Sequence, residues 1–456
     1  MKSLFKPAIL FGLHMFYYAF VELLINDLAV AAVGVENVVI LYGAISVAVA
    51  GGFLLFPLLR RLFAGSTTQK FLLIAAWVLN LAAFVVVLTV SSPSIFSLAA
   101  VFVTLTAGYI GGFVFYTIAA GPANKAYFGR MFGISSAVAF STQFGFAKLI
   151  TAFGAAGFWI EAIVIEIALS ICSVLLLLFF GHLPFQAIKN KASASLQQKN
   201  MGKYLWGIFF IITIIWAMGG MIDGVVTGLH AEQVLNVSDF PRLLYAVSLV
   251  IAGFLFDYKD GRIYAPVTML FMIAQVIVVF IFTSSGGFRA ALGAIYLCAA
   301  FGNIYSLAAL TLSATSSENP ALWAVMGRVV KYIPNGIMSV IGGYFYSANA
   351  NTIFTIIYIA LLGSLFMLFF FQGKLSVQRI APVLPDRSQT LDEMIAACGI
   401  TERESETLKL LLSGKSTSEI AQTMFITEKT VQKYIGSMMA KTSTKSRSAL
   451  ITVFKS

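Results

Sequence analysis

The feature that most limits this chain is the recurrence of apolar stretches of about 20 residues, the length a helix needs to cross the hydrocarbon core of a bilayer. They fall at 7–31, 37–59, 70–91, 95–119, 129–151, 157–181, 204–228, 241–257, 264–284, 289–313, 323–347 and 351–372. In lipid, every backbone N–H and C=O has to be satisfied within the protein, which favours helices for such runs. Charged residues make up 11% of the sequence and hydrophobic ones 59%, against about 25% charged in a soluble globular chain. The expectation is an all-α polytopic membrane bundle, followed by a small tail of different composition.

The cations give that bundle a direction. With both termini on one side, Lys2, Lys6, Arg60, Arg61, Lys70, Lys125, Arg130, the lysines of 182–203, Lys259, Arg262, Arg328, Lys331, Lys374 and Arg379 share that side. Lys148, Arg242 and Arg289 fall on the other. Lys and Arg concentrate in cytoplasmic loops, so both termini are expected in the cytoplasm, with the bundle in the membrane that bounds it. Lys2 and Lys6 precede the first apolar run without a small-residue cleavage site, so that run reads as a span rather than a cleaved leader. Cys172, Cys298 and Cys398, and His14, His182 and His230, are scattered without metal-ligand or redox spacing. No phosphate loop or nucleophile elbow is present, so the chain reads as a non-enzyme without cofactor or metal.

The membrane part looks duplicated. The segment 182–203, "HLPFQAIKNKASASLQQKNMGK", is basic, lacks acids, and separates a six-span half at 1–181 from another at 204–372. The second span of each half ends in glycine and then basic residues, "GGFLLFPLLRRLF" and "AGFLFDYKDGR". The fifth spans open with Gly129-Arg130 and Gly327-Arg328. Twelve spans, a 6+6 split and a basic central loop resemble the major facilitator superfamily. "GFLFDYKDGR" is similar to that superfamily's loop signature of glycine, three residues, aspartate and then Gly-Arg. It has one extra residue between Asp257 and Gly261, and the first-half copy has Pro57 in place of the aspartate.

After a linker at 373–388, punctuated by Pro382 and Pro385, the character changes. If flexible, that linker reaches roughly 20–25 Å. Residues 389–456 carry helix-start signals: Thr390 with Glu393, Thr401 with Glu404 and Ser416 with Glu419 each fit a capping box. Leu408, Leu411 and Leu412 share a helix face, as do Ile420, Ala421 and Met424. Thr427 caps a further helix that turns Val431, Ile435, Met438 and Met439 inward, and a last one holds Leu450 and Val453. Ser416 to Ile435 has the spacing of a helix-turn-helix, with Ala421 at the helix crossing and Ile426 plugging the turn. Glu428, Lys429, Thr430, Gln432 and Lys433 then stand near the exposed start of the second helix, where a major groove is read. From Lys429 onward there are bases and no acids, the electrostatic footprint of a phosphate-binding surface.

"GITERESETLKLLLSGKSTSEIA", "ITEKTV", Lys441 and Arg447 together resemble the LuxR-type helix-turn-helix family over about residues 389–454. The resemblance implies promoter DNA as partner, with Ser416, Thr417, Thr427, Glu428, Lys429, Thr430, Gln432, Lys433 and Lys441 at the DNA. It also implies a homodimer on DNA, with the last helix around Arg447–Val453 as dimer contact. Gln432, Tyr434 and Thr442-Ser443 depart from the family's usual lysine, histidine and Leu-Gly; Gln432 suits an adenine edge. Taken alone, Lys429 and Lys433 equally suit a solvated face, and Lys441, Lys445 and Arg447 equally suit anionic headgroups of the adjoining lipid bilayer.

Ionisable groups within spans are functional candidates. Glu22 in the first span and Asp223 in the seventh occupy equivalent places, while Asp27 and Glu161 read as headgroup-level residues. The facilitator resemblance places the first, fourth, seventh and tenth spans around a central cavity. That makes Glu22, Tyr109, Tyr116, Asp223, Asn303 and Tyr305 the candidate pocket for a small-molecule ligand. The leading expectation is a membrane-bound one-component transcription regulator that senses a small molecule. The alternatives are a facilitator-type transporter with a regulatory DNA-binding tail, and a tail that is a protein-interaction bundle.

Overall fold

In a computed structural model of the chain, the apolar runs form twelve long helices. They are α1 (Lys2–Val33), α2 (Val35–Leu62), α3 (Ser66–Thr89), α4 (Pro93–Ala120), α5 (Phe128–Thr151) and α6 (Ala155–Leu178). The second group is α7 (Ser195–Ala231), α8 (Pro241–Asp257), α9 (Tyr264–Ser285), α10 (Phe288–Ser313), α11 (Pro320–Ser347) and α12 (Asn351–Leu375). Among the described residues three short helices follow: α13 (Glu402–Leu412), α14 (Thr417–Met424) and α15 (Glu428–Lys441). The structure describes residues 2–120, 127–151, 155–178, 195–237, 241–258, 264–285, 288–314, 317, 319–348, 351–375, 395, 400–442, 444, 446–447, 450–451 and 454. No strand occurs among them. The chain divides into two compact units, Met1–Pro382 and Val383–Ser456, each with its own apolar core.

The first unit is apolar inside and out. Val78, Leu79 and Val85 on α3, Ile163, Ile167 and Ile171 on α6, and Ile353, Ile356 and Phe366 on α12 are exposed. Contiguous aliphatic surface on this scale marks a membrane-facing belt. Seven helices are long and apolar enough, by composition, to cross a membrane among the described residues. α5, α8, α9, α11 and α12 do not reach that threshold, and α5, α8 and α11 carry Arg130, Arg242, Arg328 and Lys331. The unit is a multi-pass membrane bundle.

Packing repeats with a shift of six helices. α1 touches α4, α5 and α6 as α7 touches α10, α11 and α12; α2–α4 is matched by α8–α10, and α3–α4 by α9–α10. The halves meet along two equivalent seams, α5–α8 and α2–α11. Small residues permit these approaches: a Cβ on Gly52 would enter the Leu105 carbonyl, and one on Gly108 the Val49 carbonyl. At the α5–α8 seam, Gly129 and Gly253 press on each other's backbone in the same way.

Asp257, in the loop signature, binds the start of α5. Its carboxylate accepts from Gly129 N–H at 2.8 Å and Arg130 N–H at 2.9 Å, and the Arg130 guanidinium lies 3.5 Å away. Two orphan donors of a helix N-terminus and its positive dipole end are thus satisfied together. The matching first-half position is Pro57, and α11 is capped by its own Asn319, whose side chain accepts from Leu322 N–H at 3.2 Å. The two Gly-Arg pairs are therefore not equivalent. Gly129-Arg130 stands at the first turn of α5, whereas Gly327-Arg328 lies inside α11, with Gly327 against the Ser306 carbonyl.

Two sequence expectations need correction. Arg328 and Lys331 are not cytoplasmic-side charges: Arg328 is 1% exposed inside α11, and Lys331 one turn on is half-buried. Removing both leaves Lys and Arg still concentrated on the side of the termini. In addition, α7 begins at Ser195, within the segment read as central loop. Residues 182–194 of that loop, 376–388 of the linker, the Thr390–Glu393 cap, Lys259–Arg262 of the loop signature, Lys445 and Cys398 lie outside the described residues.

Candidate nucleic-acid interface and central polar cluster

In the C-terminal unit, each helix begins where its local chemistry directs. Glu404 accepts from Thr401 N–H at 2.7 Å and from the Thr401 hydroxyl at 2.9 Å, fixing the start of α13. The chain leaves α13 through Gly414 at φ +88°, a left-handed turn suited to glycine. Ser416 closes a full capping box on α14: Glu419 N–H donates to its hydroxyl at 3.3 Å, and its own N–H donates to the Glu419 carboxylate at 2.7 Å. Thr427 then caps α15 by accepting from Thr430 N–H at 3.3 Å. Leu408, Leu411, Ile420, Ala421, Met424, Val431, Ile435, Met438 and Leu450 form the buried core, with Ile426 packed against it in the turn.

That core fixes which face α15 presents. With Val431, Ile435 and Met438 inward, Thr427, Glu428, Lys429, Gln432 and Lys433 are exposed, and Thr430 is half-buried. The first turns of α15 therefore display two lysines, an amide and hydroxyls together, while Ser416 and Thr417 mark the start of α14. The exposed turn residue Phe425 adopts a left-handed conformation at φ +55°.

Lys441 and Arg447 are placed differently from that face. Lys441 Nζ lies 2.6 Å from Glu404 Oε2, joining the end of α15 to the start of α13. Arg447 donates to the Thr417 hydroxyl at 2.9 Å and to the Lys415 carbonyl at 3.1 Å, bracing the start of α14. Burial of Glu404 opposes its ionisation, but Lys441, Ser437 and Thr401 outweigh it and bring its pKa down to about 2. Ser416 N–H, then its hydroxyl, likewise lowers the pKa of Glu419. Local spacing could not reveal the Lys441 and Arg447 ties, since their partners lie about thirty or more positions away.

In the membrane unit, the structure divides the candidate pocket residues among three places. Glu22 and Asp223 do share the centre. Tyr18 and Tyr42 place hydroxyls at the Glu22 carboxylate, and Asn335 donates to Asp223 at 2.7 Å. Lys331 lies in electrostatic reach of both acids. Asn303 joins this cluster: its Oδ1 is 3.4 Å from Lys331 Nζ and 3.5 Å from Arg328 Nη1. Tyr305 lies on another face of α10 and stacks on Tyr264 at 6.0 Å. Tyr109 and Tyr116 face α2, where Tyr116 lies 4.0 Å below the Arg60 guanidinium and both tyrosines pack on Phe56.

The sequence reading missed the central cations, Arg328 and Lys331, because it assigned them to a span end. It also missed the tie between Asp27 and His230, at 2.9 Å, which joins α1 to the last turn of α7. Their matching near-end positions in the first spans of the two halves were the available signal. Glu166 on α6 keeps both carboxylate oxygens buried and without a hydrogen-bond partner among the described residues.

Comparison with known proteins separates the two units. The family described as bacterial regulatory proteins, luxR family (GerE), matches residues 399–454. Over 52 residues the chain is 44% identical to the spore germination protein GerE of Bacillus subtilis (strain 168), covering 11% of this chain and 70% of that protein. The fold of the membrane unit is shared with solved transporters. A mutant peptide transporter POT in complex with sulfate aligns over 82% of this chain and 95% of its own, with TM-score 0.58 and 12% identity. The human organic anion transporter MFSD10 (TETRAN) aligns over 80% and 98%, with TM-score 0.52 and 13% identity. An auto-inhibited POT family peptide transporter aligns over 83% and 97%, with TM-score 0.54 and 11% identity. The architecture is thus a major-facilitator-like bundle followed by a LuxR-type DNA-binding domain, and through residues 399–454 the chain belongs to the luxR family of bacterial regulatory proteins.

Proposed function

We propose that this protein is a membrane-bound one-component transcription regulator. The facilitator-like unit senses a small molecule, and the C-terminal domain binds promoter DNA as a homodimer on the cytoplasmic side of the bacterial cell membrane. The observation that carries this reading is the exposed face of Thr427, Glu428, Lys429, Gln432 and Lys433, attached to a polytopic bundle in one chain. No chemical transformation is assigned to it. Ligand binding acts by favouring one arrangement of the membrane unit, which changes dimerisation or exposure of the tail.

One feature favours sensing over transport. The carboxylate that ties a loop to a facing helix start is present at the α5–α8 seam as Asp257, while its first-half counterpart is Pro57. Among the described residues this tie is found at one of the two equivalent seams, so the two halves are not held symmetrically. The test is a promoter fusion in cells carrying the full chain or its Lys429→Ala/Lys433→Ala variant. Loss of the response in the variant supports the regulator. Unchanged response in the variant, or solute flux in proteoliposomes that survives deletion of 383–456, supports the transporter instead.

A further inference from the structure

We infer that the centre of the membrane unit holds an anion subsite, in which Arg328, Lys331, Asn303 and Trp216 receive the carboxylate of a small organic acid. This rests on the sensor reading and names its ligand class. Among the described residues Arg328, 1% exposed, is the largest fully buried side chain, and no carboxylate lies within 4 Å of it. Its guanidinium has the Met15 sulfur, the Asn303 amide oxygen at 3.5 Å, and the faces of Phe115 and Tyr332 at 5.4 and 5.5 Å. Its Nε has no hydrogen-bond partner among the described residues. Lys331, at i+3 and so on the same face of α11, shares that single amide oxygen at 3.4 Å and lies 4.2 Å over the Trp216 ring.

Among the described residues, Arg328 Nε, Asn303 Nδ2 and Trp216 Nε1 are buried without partners; these three are N–H donors, while the neighbouring His14 Nδ1, also without a partner, can donate or accept according to its tautomer. Glu22 accepts from Tyr18 and Tyr42, Asp223 accepts from Asn335, both acids act electrostatically on Lys331, and Asn303 Oδ1 faces both cations. A buried cation with a neutral amide for its only oxygen partner is unfavourable in an empty protein. A planar anion with two acceptor oxygens meets the guanidinium and the ammonium together. Phe115, Tyr332 and Trp216 supply an apolar wall for the body of the acid.

The test uses the full chain in nanodiscs of phosphatidylcholine, so that no anionic lipid competes. Sodium acetate, benzoate, succinate and glutamate are titrated against sodium chloride at equal ionic strength, reading tryptophan fluorescence and thermal midpoint. At least one carboxylate is expected to shift both readouts saturably. Arg328→Gln and Lys331→Gln are each expected to weaken that midpoint by about tenfold or more, while removal of an exposed cation in Arg61→Gln leaves it unchanged. Arg328→Met is expected to raise the thermal midpoint of the empty protein, because an unpaired charge is removed. The proposal is overturned if none of the four salts acts beyond chloride, or if binding is undiminished in both glutamine variants. It is also overturned if Arg328→Met lowers the empty-protein midpoint. If carboxylates bind but the promoter fusion ignores them, the sensor reading fails and the subsite stands. If the fusion responds to Lys429 and Lys433 but no carboxylate binds, the regulator stands and the subsite fails.

Discussion

Replacing Lys441 with methionine separates the DNA contact that the family resemblance implies from the ion pair that the structure shows. A lysine at the end of α15 suits a DNA phosphate, but here its ammonium is 2.6 Å from Glu404, whose side chain is 6% exposed while that of Lys441 is 30% exposed. The Glu404 pKa falls from 4.5 to about 2, a difference with a ceiling of roughly 3 kcal/mol at about 1.36 kcal/mol per unit. Part of that depression comes from Thr401 and Ser437, and water close to Lys441 screens the pair, so about 1–2 kcal/mol is expected for Lys441→Met at pH 7. In a domain of this size that is a drop in Tm of roughly 5–10 °C. The sign follows from linkage: a carboxylate with a lowered folded-state pKa gives stability that is present above 4.5 and lost as pH falls toward about 2. The gap between wild type and Lys441→Met therefore narrows across that window. The assay is circular-dichroism melting of residues 383–456, paired with DNA binding at several salt concentrations. Lys429→Ala and Lys433→Ala are each expected to reduce the slope of log K against log salt by about 0.9. Lys441→Met is expected to leave that slope unchanged well below its own Tm. A full unit lost from the slope with no change in Tm would refute the structural tie and return Lys441 to the DNA face.

Other outcomes follow from single contacts. Ser416→Ala and Thr427→Ala each remove an N-cap acceptor and should destabilise the isolated domain by about 1 kcal/mol, read by urea melts. Gly414→Ala should destabilise it by roughly 1–2 kcal/mol, because φ is +88° there. The neighbouring glycines of α2 make an internal control for the membrane unit. A Cβ at Gly51 meets nothing within 4 Å, whereas one at Gly52 enters the Leu105 carbonyl. Gly52→Ala should therefore lower stability by about 1–3 kcal/mol and Gly51→Ala should not, as measured by thermal unfolding of the full chain in nanodiscs.

What was legible in the sequence was local. Capping boxes at Ser416 and Thr401 depend on contacts three residues apart, so their geometry could be read directly. The core face of α15 followed from the spacing of Val431, Ile435 and Met438. The helical class followed from run length alone. Helix phase in the membrane unit did not: a helix that is apolar all round gives no signal of which side faces a partner. Tyr109, Tyr116 and Tyr305 thus lie on α4 and α10, but their side chains turn toward Phe56 and Tyr264. Arg328 and Lys331 were misplaced for a related reason. Counting cations toward loops assumes that charges sit near helix ends, and α11 extends from Pro320, so Arg328 lies two turns inside it. The central cluster unites positions 22, 223, 303 and 331, which only tertiary packing brings together.

The position of that cluster bears directly on how a signal could leave the membrane unit. Met15, Glu22 and Phe115 belong to the first half, and Trp216, Asp223, Asn303, Arg328 and Lys331 to the second. An anion held there touches groups whose spacing depends on how the halves are set against each other at the α2–α11 and α5–α8 seams. Tight binding alone shifts nothing; the ligand has to bind one arrangement better than the other. Moving a two-state protein from 1:99 to 99:1 requires a difference of about 5.5 kcal/mol. Loss of one partner from a buried, hydrogen-bonded charge pair costs about 2–5 kcal/mol, so a carboxylate that meets both cations in one arrangement and a single cation in the other supplies much of that difference. Arg328 is the residue on which this differential turns, since it reaches across to Met15 and Phe115 from the opposite half. A variant that retains carboxylate binding through Lys331 but has lost Arg328 should therefore bind its ligand weakly and also lose the coupling to the promoter.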